Sequence, residues 1–450
     1  MKKLVSLVIV MALALSLAVG AAAAETGSIT ITNAIAGETY KIYKVFDLTY
    51  NGDNVSYTFT KTSLNTDLYD ALNATGSPFT FAESTTAGKY NVTVAAGTSG
   101  ETIATFLKTV ESKLTLVDTL TGSASTKKEG LDYGYYFITS SVGSVVTINS
   151  TTPDASITDK NTVPSIEKKQ SADGTNYATT NLDANIGDTI YYQIEITDGI
   201  GTDKEIVITD TMSTGITFNT SSITVKYDNT DVDPANYTVT NSTTTGFTLT
   251  LTADYVKTLD NTKPVVVTYT GTVNENATIN SDNNTNSATM NYSAQTLNKT
   301  VKLSTYDVVL KKTDGTNALA GAKFRLYDAL TAGNEVKLAK DATGYYVSAA
   351  GTEEIDAGDG NGVNIRGLKP GTYYFEETVT PDGYNPLTER KSITITTGQT
   401  NSAELTVVNQ AGATLPSTGG MGTTIFYVLG GLMFVGALVL LVTNKRMKAE

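Results

Sequence analysis

An apolar run near the C-terminus constrains this chain of 450 residues more than any other feature of its sequence. The run from Ile425 to Val442 carries no charged residue, and with its flanks it can cross a hydrocarbon layer of about 30 Å as a helix. Lys445, Arg446 and Lys448 follow it, and basic residues beside a membrane span stay on the cytoplasmic side. The sequence therefore predicts that the chain before Ile425 lies outside the cell.

The N-terminus is typical of a secretory signal peptide. Lys2 and Lys3 precede an apolar stretch, and the small residues Ala22 and Ala24 stand just before Glu25. We expect this leader to be removed on export. At about 100–200 residues per domain the exported part holds two to four domains, and shifts in composition favour three.

The composition excludes several classes of function. The chain has no Cys, so disulfides cannot brace it, and no His, so the common nucleophile pairs and zinc sites are missing. A formal net charge of −13 opposes nucleic-acid binding, which needs a basic surface. We expect no enzyme, no metal, no cofactor and no nucleic-acid partner. The acidic, glycine-rich segment Asp356 to Gly362 lacks the ligand spacing of a calcium loop and predicts a turn.

Short runs rich in Thr, Val, Ile and Tyr, separated by Gly, Asn and Asp, fill the exported part. Such runs predict an all-β fold of tandem Ig-like β-sandwiches. Helical spacing is found only in the first third, so we expect some helix in the first domain. The apolar residues at that spacing are Ile103, Phe106, Leu107, Val110 and Leu114, and, in a shorter segment, Leu64, Leu68 and Leu72.

Polar segments predict the connections between domains. We expect linkers at Thr151 to Pro164 and near Asn298 to Thr305, and a flexible segment at Gln410 to Thr414. The predicted divisions are a signal peptide at 1–24, domains at 25–158, 159–300 and 301–411, and a C-terminal signal with the membrane helix at 412–450.

Strand alternation selects one lysine, one acid and one asparagine in each of the last two domains. Successive strand side chains point to opposite faces, and these polar residues share a face with apolar neighbours. A single Lys or Glu in that position more often reaches water at a frayed strand end, but three together in one domain indicate a buried cluster. The residues are Lys168, Asp210 and Asn286, and Lys312, Glu377 and Asn409. A one-residue bulge would select Lys169 or Lys311 instead.

Three segments of the last predicted domain resemble a collagen-adhesin B-type domain: Lys312 to Gly315, Leu319 to Phe324 and Gly371 to Tyr384. The resemblance covers about Lys302 to Gln410. In that family a strand lysine forms an intramolecular isopeptide bond with a C-terminal asparagine, assisted by a glutamate. It implies these roles for Lys312, Asn409 and Glu377. One departure is Thr380, where the family more often has Ala before Pro.

The middle domain resembles the fimbrial isopeptide-forming domain of major pilins over about Asn161 to Tyr292. The segments that resemble it are Pro164 to Lys168, Ile208 to Met212 and Asn286 to Ala288. The resemblance implies a bond between Lys168 and Asn286, with Asp210 as the assisting acid.

Burial explains how such bonds form. Desolvation lowers the pKa of a lysine and raises that of a carboxyl group, so a buried pair can exist as free amine and neutral acid. The amine is then a nucleophile. The protonated acid can hydrogen-bond the asparagine carbonyl, stabilise the charge that develops there, and move protons while ammonia leaves.

The pentapeptide Leu415-Pro416-Ser417-Thr418-Gly419 resembles the LPxTG signal of Gram-positive sortase substrates. It implies that a transpeptidase cleaves between Thr418 and Gly419 and passes the threonyl carboxyl group to an amine. Lys160 is the candidate amine, because it lies in a predicted linker and partly matches the pilin motif. Asp159 replaces the usual Pro of that motif, and the preceding aromatic residues are missing.

These features together resemble a sortase-assembled major pilin, a wall-anchored structural subunit at the cell surface made from a membrane-anchored precursor. The implied partners are sortase, further copies in a head-to-tail polymer and peptidoglycan at the base of the fibre. Ancillary pilins and host surface ligands are further partners that the resemblance allows. The alternatives are a single-copy adhesin or ancillary pilin, in which Lys160 is idle, and a surface enzyme, for which no residue constellation exists.

Overall fold

The computed structural model of the protein describes residues 8–12, 26–51, 54–140, 144–145, 154–199, 204–415 and 422–448. These residues form β-sheets in three successive regions, each with its own buried apolar side chains. A long apolar helix follows. The chain is mostly β, with tandem sheets and a C-terminal helix, as the sequence predicts.

The first region combines two sheets and two helices. Its elements are β1 (Val8–Ala12), β2 (Thr26–Thr32), β3 (Thr39–Asn51), β4 (Asn54–Thr60), α1 (Thr66–Leu72), β5 (Phe79–Glu83), β6 (Lys89–Val94), α2 (Gly100–Thr109), β7 (Thr115–Thr121), β8 (Thr126–Asp132), β9 (Gly134–Ser140), β10 (Ser144–Val145) and β11 (Asp154–Thr158). The larger sheet runs β1-β9-β3-β4-β6-β5, and β11 pairs parallel with β2 in the smaller one. Strand β1, within the expected signal peptide, pairs with β9.

The predicted helices are present in the first region. Helix α2 begins after Ser99, whose hydroxyl accepts a hydrogen bond from the Thr102 amide at 3.1 Å and so caps the helix. Its predicted face, with Ile103 and Leu107, is buried. In the shorter helix α1 the prediction is wrong for Leu64, which precedes the helix and is 97% exposed.

The middle region is a sandwich of two sheets. Its elements are β12 (Ser165–Ser171), β13 (Leu182–Asp183), β14 (Thr189–Thr197), β15 (Ile206–Met212), β16 (Ile216–Phe218), β17 (Thr224–Tyr227), β18 (Thr230–Asp231), β19 (Tyr237–Thr243), β20 (Gly246–Leu251), α3 (Ala253–Val256), β21 (Pro264–Val273), β22 (Ser281–Tyr292) and β23 (Gln295–Thr313). One sheet has the order β12-β14-β21-β17-β18, and the other contains β19-β20-β15-β22-β23. Every second residue of β14 and β21 is buried, as expected for strands with one face on a core.

Strand β23 joins the middle and last regions without a break. Its 19 residues pair first with β22 and then with later strands of the last region. The linker expected near Asn298 to Thr305 is therefore wrong: this stretch is strand, because its polar residues alternate with the buried Val301 and Leu303 on one face of the sheet. Of the linker expected at Thr151 to Pro164, residues Asp154–Thr158 form β11.

The last region is a second sandwich. Its further elements are β24 (Lys323–Tyr327), β25 (Leu338–Asp341), β26 (Gly344–Val347), β27 (Ile355–Asp356), β28 (Val363–Leu368), β29 (Gly371–Val379), β30 (Lys391–Ile395) and β31 (Ala403–Val408), and the membrane helix is α4 (Gly422–Met447). One sheet has the order β23-β28-β26-β25 with β31 parallel to β23, and the other has the order β27-β24-β29-β30. Among the described residues, α4 is the helix long and apolar enough to cross a membrane.

Candidate functional site

Two lysines are buried in the described parts of the chain: Lys168 is 2% exposed and Lys312 is 0% exposed. Lysine is seldom buried without a partner, because removing its charge from water is costly. These are the two lysines that strand alternation selects.

The neighbouring lysines point outward. Lys169 pairs with Glu195 at 2.6 Å, and Lys311 pairs with Glu404 at 2.7 Å. All four side chains are partly exposed. No bulge shifts the register at either position, so the geometry does not favour Lys169 or Lys311 as the buried amine.

The middle sandwich brings its three predicted residues together across the two sheets. Lys168 extends from β12 in one sheet, and Asp210 and Asn286 extend from β15 and β22 in the other. The Lys168 ammonium donates to Asp210 Oδ2 at 2.5 Å. On the paired strands Met212 lies opposite Asn286, which places Asn286 diagonally beside Asp210. All three predicted residues are at most 2% exposed.

A fourth residue, Tyr269 on β21, lies at the centre of this cluster. Its hydroxyl donates to Asp210 Oδ2 at 2.5 Å, accepts from Asn286 Nδ2 at 3.3 Å, and contacts Lys168 Nζ. The sequence patterns that select the lysines, acids and asparagines do not select Tyr269. Its inward face could have been found from the alternation of β21, and a buried tyrosine needs a hydrogen-bond partner for its hydroxyl.

Burial favours neutral forms in the middle cluster. It lowers the pKa of the Lys168 amine, against the opposing attraction of Asp210. It raises the pKa of the Asp210 carboxyl group, against the hydrogen bonds and charge of Lys168. Within the described residues, Asp210 Oδ1 and Asn286 Oδ1 are buried acceptors without a donor, and a proton on the acid would supply one.

The last sandwich brings its three residues together from both sheets: Lys312 and Asn409 from one sheet, and Glu377 from β29 in the other. Lys312 on β23 lies opposite Val407 on the parallel strand β31, and Asn409 follows that strand. Asn409 Nδ2 donates to Glu377 Oε2 at 3.0 Å, whereas Lys312 Nζ donates to the Thr313 carbonyl at 3.1 Å. Burial lowers the pKa of Lys312, and the nearby Glu377 carboxylate opposes this shift.

Glu377 is held by more than its asparagine partner. Its Oε2 atom also accepts from the Thr380 hydroxyl at 2.9 Å and from the Leu387 amide at 3.2 Å. Thr380, the departure from the family pattern, thus contacts the candidate acid. Glu377 Oε1 and Asn409 Oδ1 have no hydrogen-bond partner in the described part of the chain, the same pattern as in the middle cluster.

Lys160 is exposed between two buried residues. Asp159 accepts hydrogen bonds from the Tyr40 hydroxyl at 2.5 Å and from the Asn161 amide at 2.9 Å. The Asn161 side chain donates to Ser140 Oγ at 2.9 Å, and burial raises the pKa of Asp159. Asp159, noted in the sequence only as a replacement for Pro, fixes the backbone that presents Lys160.

The sorting motif starts from a docked segment. The Asn385 amide donates to the Gln410 carbonyl and the Gly412 amide donates to the Gly383 carbonyl, both at 2.9 Å. The flexible segment expected at Gln410 to Thr414 is therefore docked in its first half. Leu415 is 90% exposed, and Pro416, Ser417, Thr418 and Gly419 lie outside the described residues.

Comparison with known proteins identifies similarities to surface proteins of Gram-positive bacteria. A prealbumin-like fold domain (SpaA) matches residues 306–411, and an LPXTG cell wall anchor motif matches residues 407–449. The trypsin-resistant surface T6 protein of Streptococcus pyogenes is 23% identical over 402 residues, which are 82% of this chain and 72% of that protein.

Solved structures of backbone pilins are also similar. The T6 backbone pilin of S. pyogenes, described as a modular three-domain structure, matches with a TM-score of 0.50 and 19% identity over 84% of this chain and 81% of the pilin. The major pilin RrgB of Streptococcus pneumoniae matches with a TM-score of 0.45 and 16% identity, over 86% of this chain and 100% of RrgB.

The matched anchor motif and the apolar helix α4 support a surface protein that is anchored to the cell wall from a membrane-anchored precursor, as the sequence predicts. The prealbumin-like fold matched over residues 306–411 agrees with the β-sandwich of the last region.

Proposed function

We propose that the chain is the repeating backbone subunit of a covalent pilus, in which sortase joins Thr418 of one copy to Lys160 of the next. Two internal isopeptide bonds, Lys168 to Asn286 and Lys312 to Asn409, brace each copy. The observation that carries the internal bonds is the pair of buried lysines. Lys168 contacts Asp210, and Lys312 lies near Glu377, which accepts a hydrogen bond from Asn409. The exposure of Lys160 on a fixed segment supports the intersubunit bond.

Each internal bond forms by attack of a neutral lysine amine on the asparagine amide. The Nζ–Cγ bond forms, the Cγ–Nδ2 bond breaks, and one proton passes from Nζ to the departing nitrogen, which leaves as ammonia. Asp210 or Glu377 assists by hydrogen bonding the asparagine carbonyl group and by taking part in the proton transfer. The reaction occurs once in each site, so the protein is a sortase substrate and not a turnover enzyme.

The proposed bonds also define a short covalent path for tension along the fibre. A pulled chain would run from Lys160 to Lys168, across to Asn286, along β23 to Lys312, and across to Asn409. Most strands of both sandwiches are bypassed, because the middle bond links β12 to β22 and the last bond links β23 to the end of β31. The first region precedes Lys160 and lies outside this path.

The loops that the bonds close predict their effect on stability. They span 286 − 168 = 118 and 409 − 312 = 97 residue steps. By analogy with disulfides, each constrains the unfolded chain by about 4–5 kcal/mol. Since a domain is stable by about 5–15 kcal/mol in total, loss of either bond is a large effect.

Intact mass tests the internal bonds. The folded protein is expected to weigh less than its sequence by two molecules of ammonia, and peptide mapping should locate the two cross-links. A full sequence mass would refute both bonds, and the loss of one molecule of ammonia would leave one bond standing.

Lysine substitution tests the intersubunit bond. Lys160→Arg is expected to abolish the ladder of SDS-resistant multimers in the wall fraction and to leave the monomer folded. Lys226→Arg, at a lysine whose side chain is 49% exposed on the middle sandwich, is the matched control and should leave the ladder intact. An unchanged ladder in Lys160→Arg would exclude Lys160. A wild-type protein without any ladder would favour the single-copy adhesin or ancillary pilin.

A further inference from the structure

We propose that Tyr269 is a catalytic residue for cross-linking in the middle sandwich, and that its hydroxyl carries the proton from Lys168 Nζ to the departing nitrogen of Asn286. This role depends on the proposed bond between Lys168 and Asn286. It assigns to the chain a catalytic group that neither strand alternation of the acids and lysines nor the family resemblance identifies.

The hydroxyl of Tyr269 contacts both nitrogens that exchange the proton. It contacts Lys168 Nζ, the nucleophile, and accepts from Asn286 Nδ2, the leaving group, at 3.3 Å. Its own hydrogen is donated to Asp210 Oδ2 at 2.5 Å. A hydroxyl has one hydrogen and two lone pairs, so all of its hydrogen-bonding capacity is used within this cluster.

The reaction needs such a group because the two nitrogens must change protonation together. As the Nζ–Cγ bond forms, Nζ becomes acidic; as the Cγ–Nδ2 bond breaks, Nδ2 becomes basic and can leave only after it gains a proton. The hydroxyl can rotate its hydrogen from Asp210 towards Nδ2 and accept the proton of Nζ. One proton is transferred, the hydroxyl is regenerated, and ammonia leaves.

Water is excluded from this transfer. Lys168, Asp210, Tyr269 and Asn286 are each at most 2% exposed. The Tyr269 ring stacks on Tyr192 with 5.5 Å between ring centroids, and the Phe247 ring meets its face edge-on at 5.0 Å. Because these rings seal the site, the proton must travel through side chains. The Tyr269 hydroxyl contacts both nitrogens and is hydrogen-bonded to Asp210, the acid that also interacts with Lys168 and Asn286.

Tyr192 provides a matched control in the same sheet. It lies opposite Tyr269 on the paired strand β14, is equally buried, and its ring centroid is 5.5 Å from Lys168 Nζ, compared with 5.1 Å for Tyr269. Its hydroxyl has no hydrogen-bond partner in the described part of the chain. Replacing either tyrosine by phenylalanine removes one buried oxygen from the same aromatic stack, but only one of these oxygens contacts the reacting atoms.

The test measures bond formation in the middle sandwich alone. In an Asn409→Ala background the last sandwich cannot cross-link, so the loss of one molecule of ammonia from the full chain reports the middle bond. The chain is purified in detergent from a host without sortase, and its intact mass is followed over time. Tyr269→Phe is expected to cross-link about 100-fold more slowly, as loss of a proton-transfer group predicts, and Tyr192→Phe is expected to cross-link as fast as the parent.

A second measurement separates catalysis from folding. In an Asn286→Ala background neither tyrosine variant can form the middle bond, and thermal unfolding compares the sandwiches directly. Similar melting temperatures for Tyr269→Phe and Tyr192→Phe would support a catalytic role. A middle sandwich that unfolds only in Tyr269→Phe would overturn it, because the hydroxyl would then be needed for the fold.

The kinetic outcomes distinguish this role from the proposed bond itself. Equal rates in Tyr269→Phe and Tyr192→Phe would overturn the role of Tyr269 and leave the bond standing. A parent that keeps its full mass would show that the middle bond does not exist, and would overturn both.

Discussion

In the middle sandwich Lys168 and Asn286 lie on different sheets. In the last sandwich Lys312 lies on β23, and Asn409 directly follows β31, the adjacent parallel strand of the same sheet. A bond in the middle sandwich would join its two sheets across the core. A bond in the last sandwich would join its first and last strands, which lie side by side. The same three residue types therefore fit two different strand arrangements.

The surroundings of the two clusters differ as well. In the middle cluster, within the described residues, the Lys168 ammonium hydrogen-bonds to two side chains, those of Asp210 and Tyr269. In the last cluster the main chain contributes, because Lys312 donates to the Thr313 carbonyl and the Leu387 amide donates to Glu377. Glu377 is also half-buried, whereas Asp210 is buried. We expect side-chain truncation to damage the middle cluster more.

The largest difference is expected between two variants of the middle cluster. Asn286→Ala removes the bond but keeps the Lys168–Asp210 pair, whereas Asp210→Ala removes the bond and leaves a buried lysine without its carboxylate. Removing one partner of a buried pair costs about 3–5 kcal/mol. Asp210→Ala should therefore melt well below Asn286→Ala and be cut faster by trypsin. Equal melting temperatures would show that the carboxylate contributes to bond formation only.

A smaller difference is expected in the last cluster. Glu377→Ala and Asn409→Ala should each show a mass deficit of one molecule of ammonia instead of two. Each should also be less stable by about 4–5 kcal/mol. The two variants should melt alike, because Lys312 keeps its bond to the Thr313 carbonyl in both. If Glu377→Ala still cross-links, Glu377 is not the assisting acid. If the bond disappears and the melting temperature does not move, the entropic account of the bond is wrong.

The smallest effects are expected for the outward-facing lysines. Lys169→Ala and Lys311→Ala each remove a partly exposed ion pair, and such pairs contribute about 0–1 kcal/mol. Both variants should keep the full ammonia deficit and change the melting temperature little. A lost cross-link in either variant would mean that the bonded lysine had been assigned to the wrong neighbour.

Local sequence patterns predicted much of the candidate site. Alternation in strands depends only on neighbouring residues, and it placed Lys168, Asp210 and Asn286 on inward faces before any sheet pairing was known. The apolar run that forms α4 and the periodicity of α2 are local in the same sense. Leu64 shows the limit, because a helix end is set by the first backbone hydrogen bond and not by the spacing of leucines.

The sequence alone thus determined the β character of the chain, its membrane helix and sorting motif, and the buried positions of five of the six selected polar residues, Glu377 being half-buried. Only the tertiary structure decided that β23 continues through a polar stretch, that Asp159 is buried beneath Lys160, and that Tyr269 contacts Lys168, Asp210 and Asn286. Each of these depends on which strands lie side by side and which sheets face each other. Residues 101 positions apart, such as Lys168 and Tyr269, meet only because β12 and β21 lie on either side of β14 in one sheet, and no local pattern encodes that pairing.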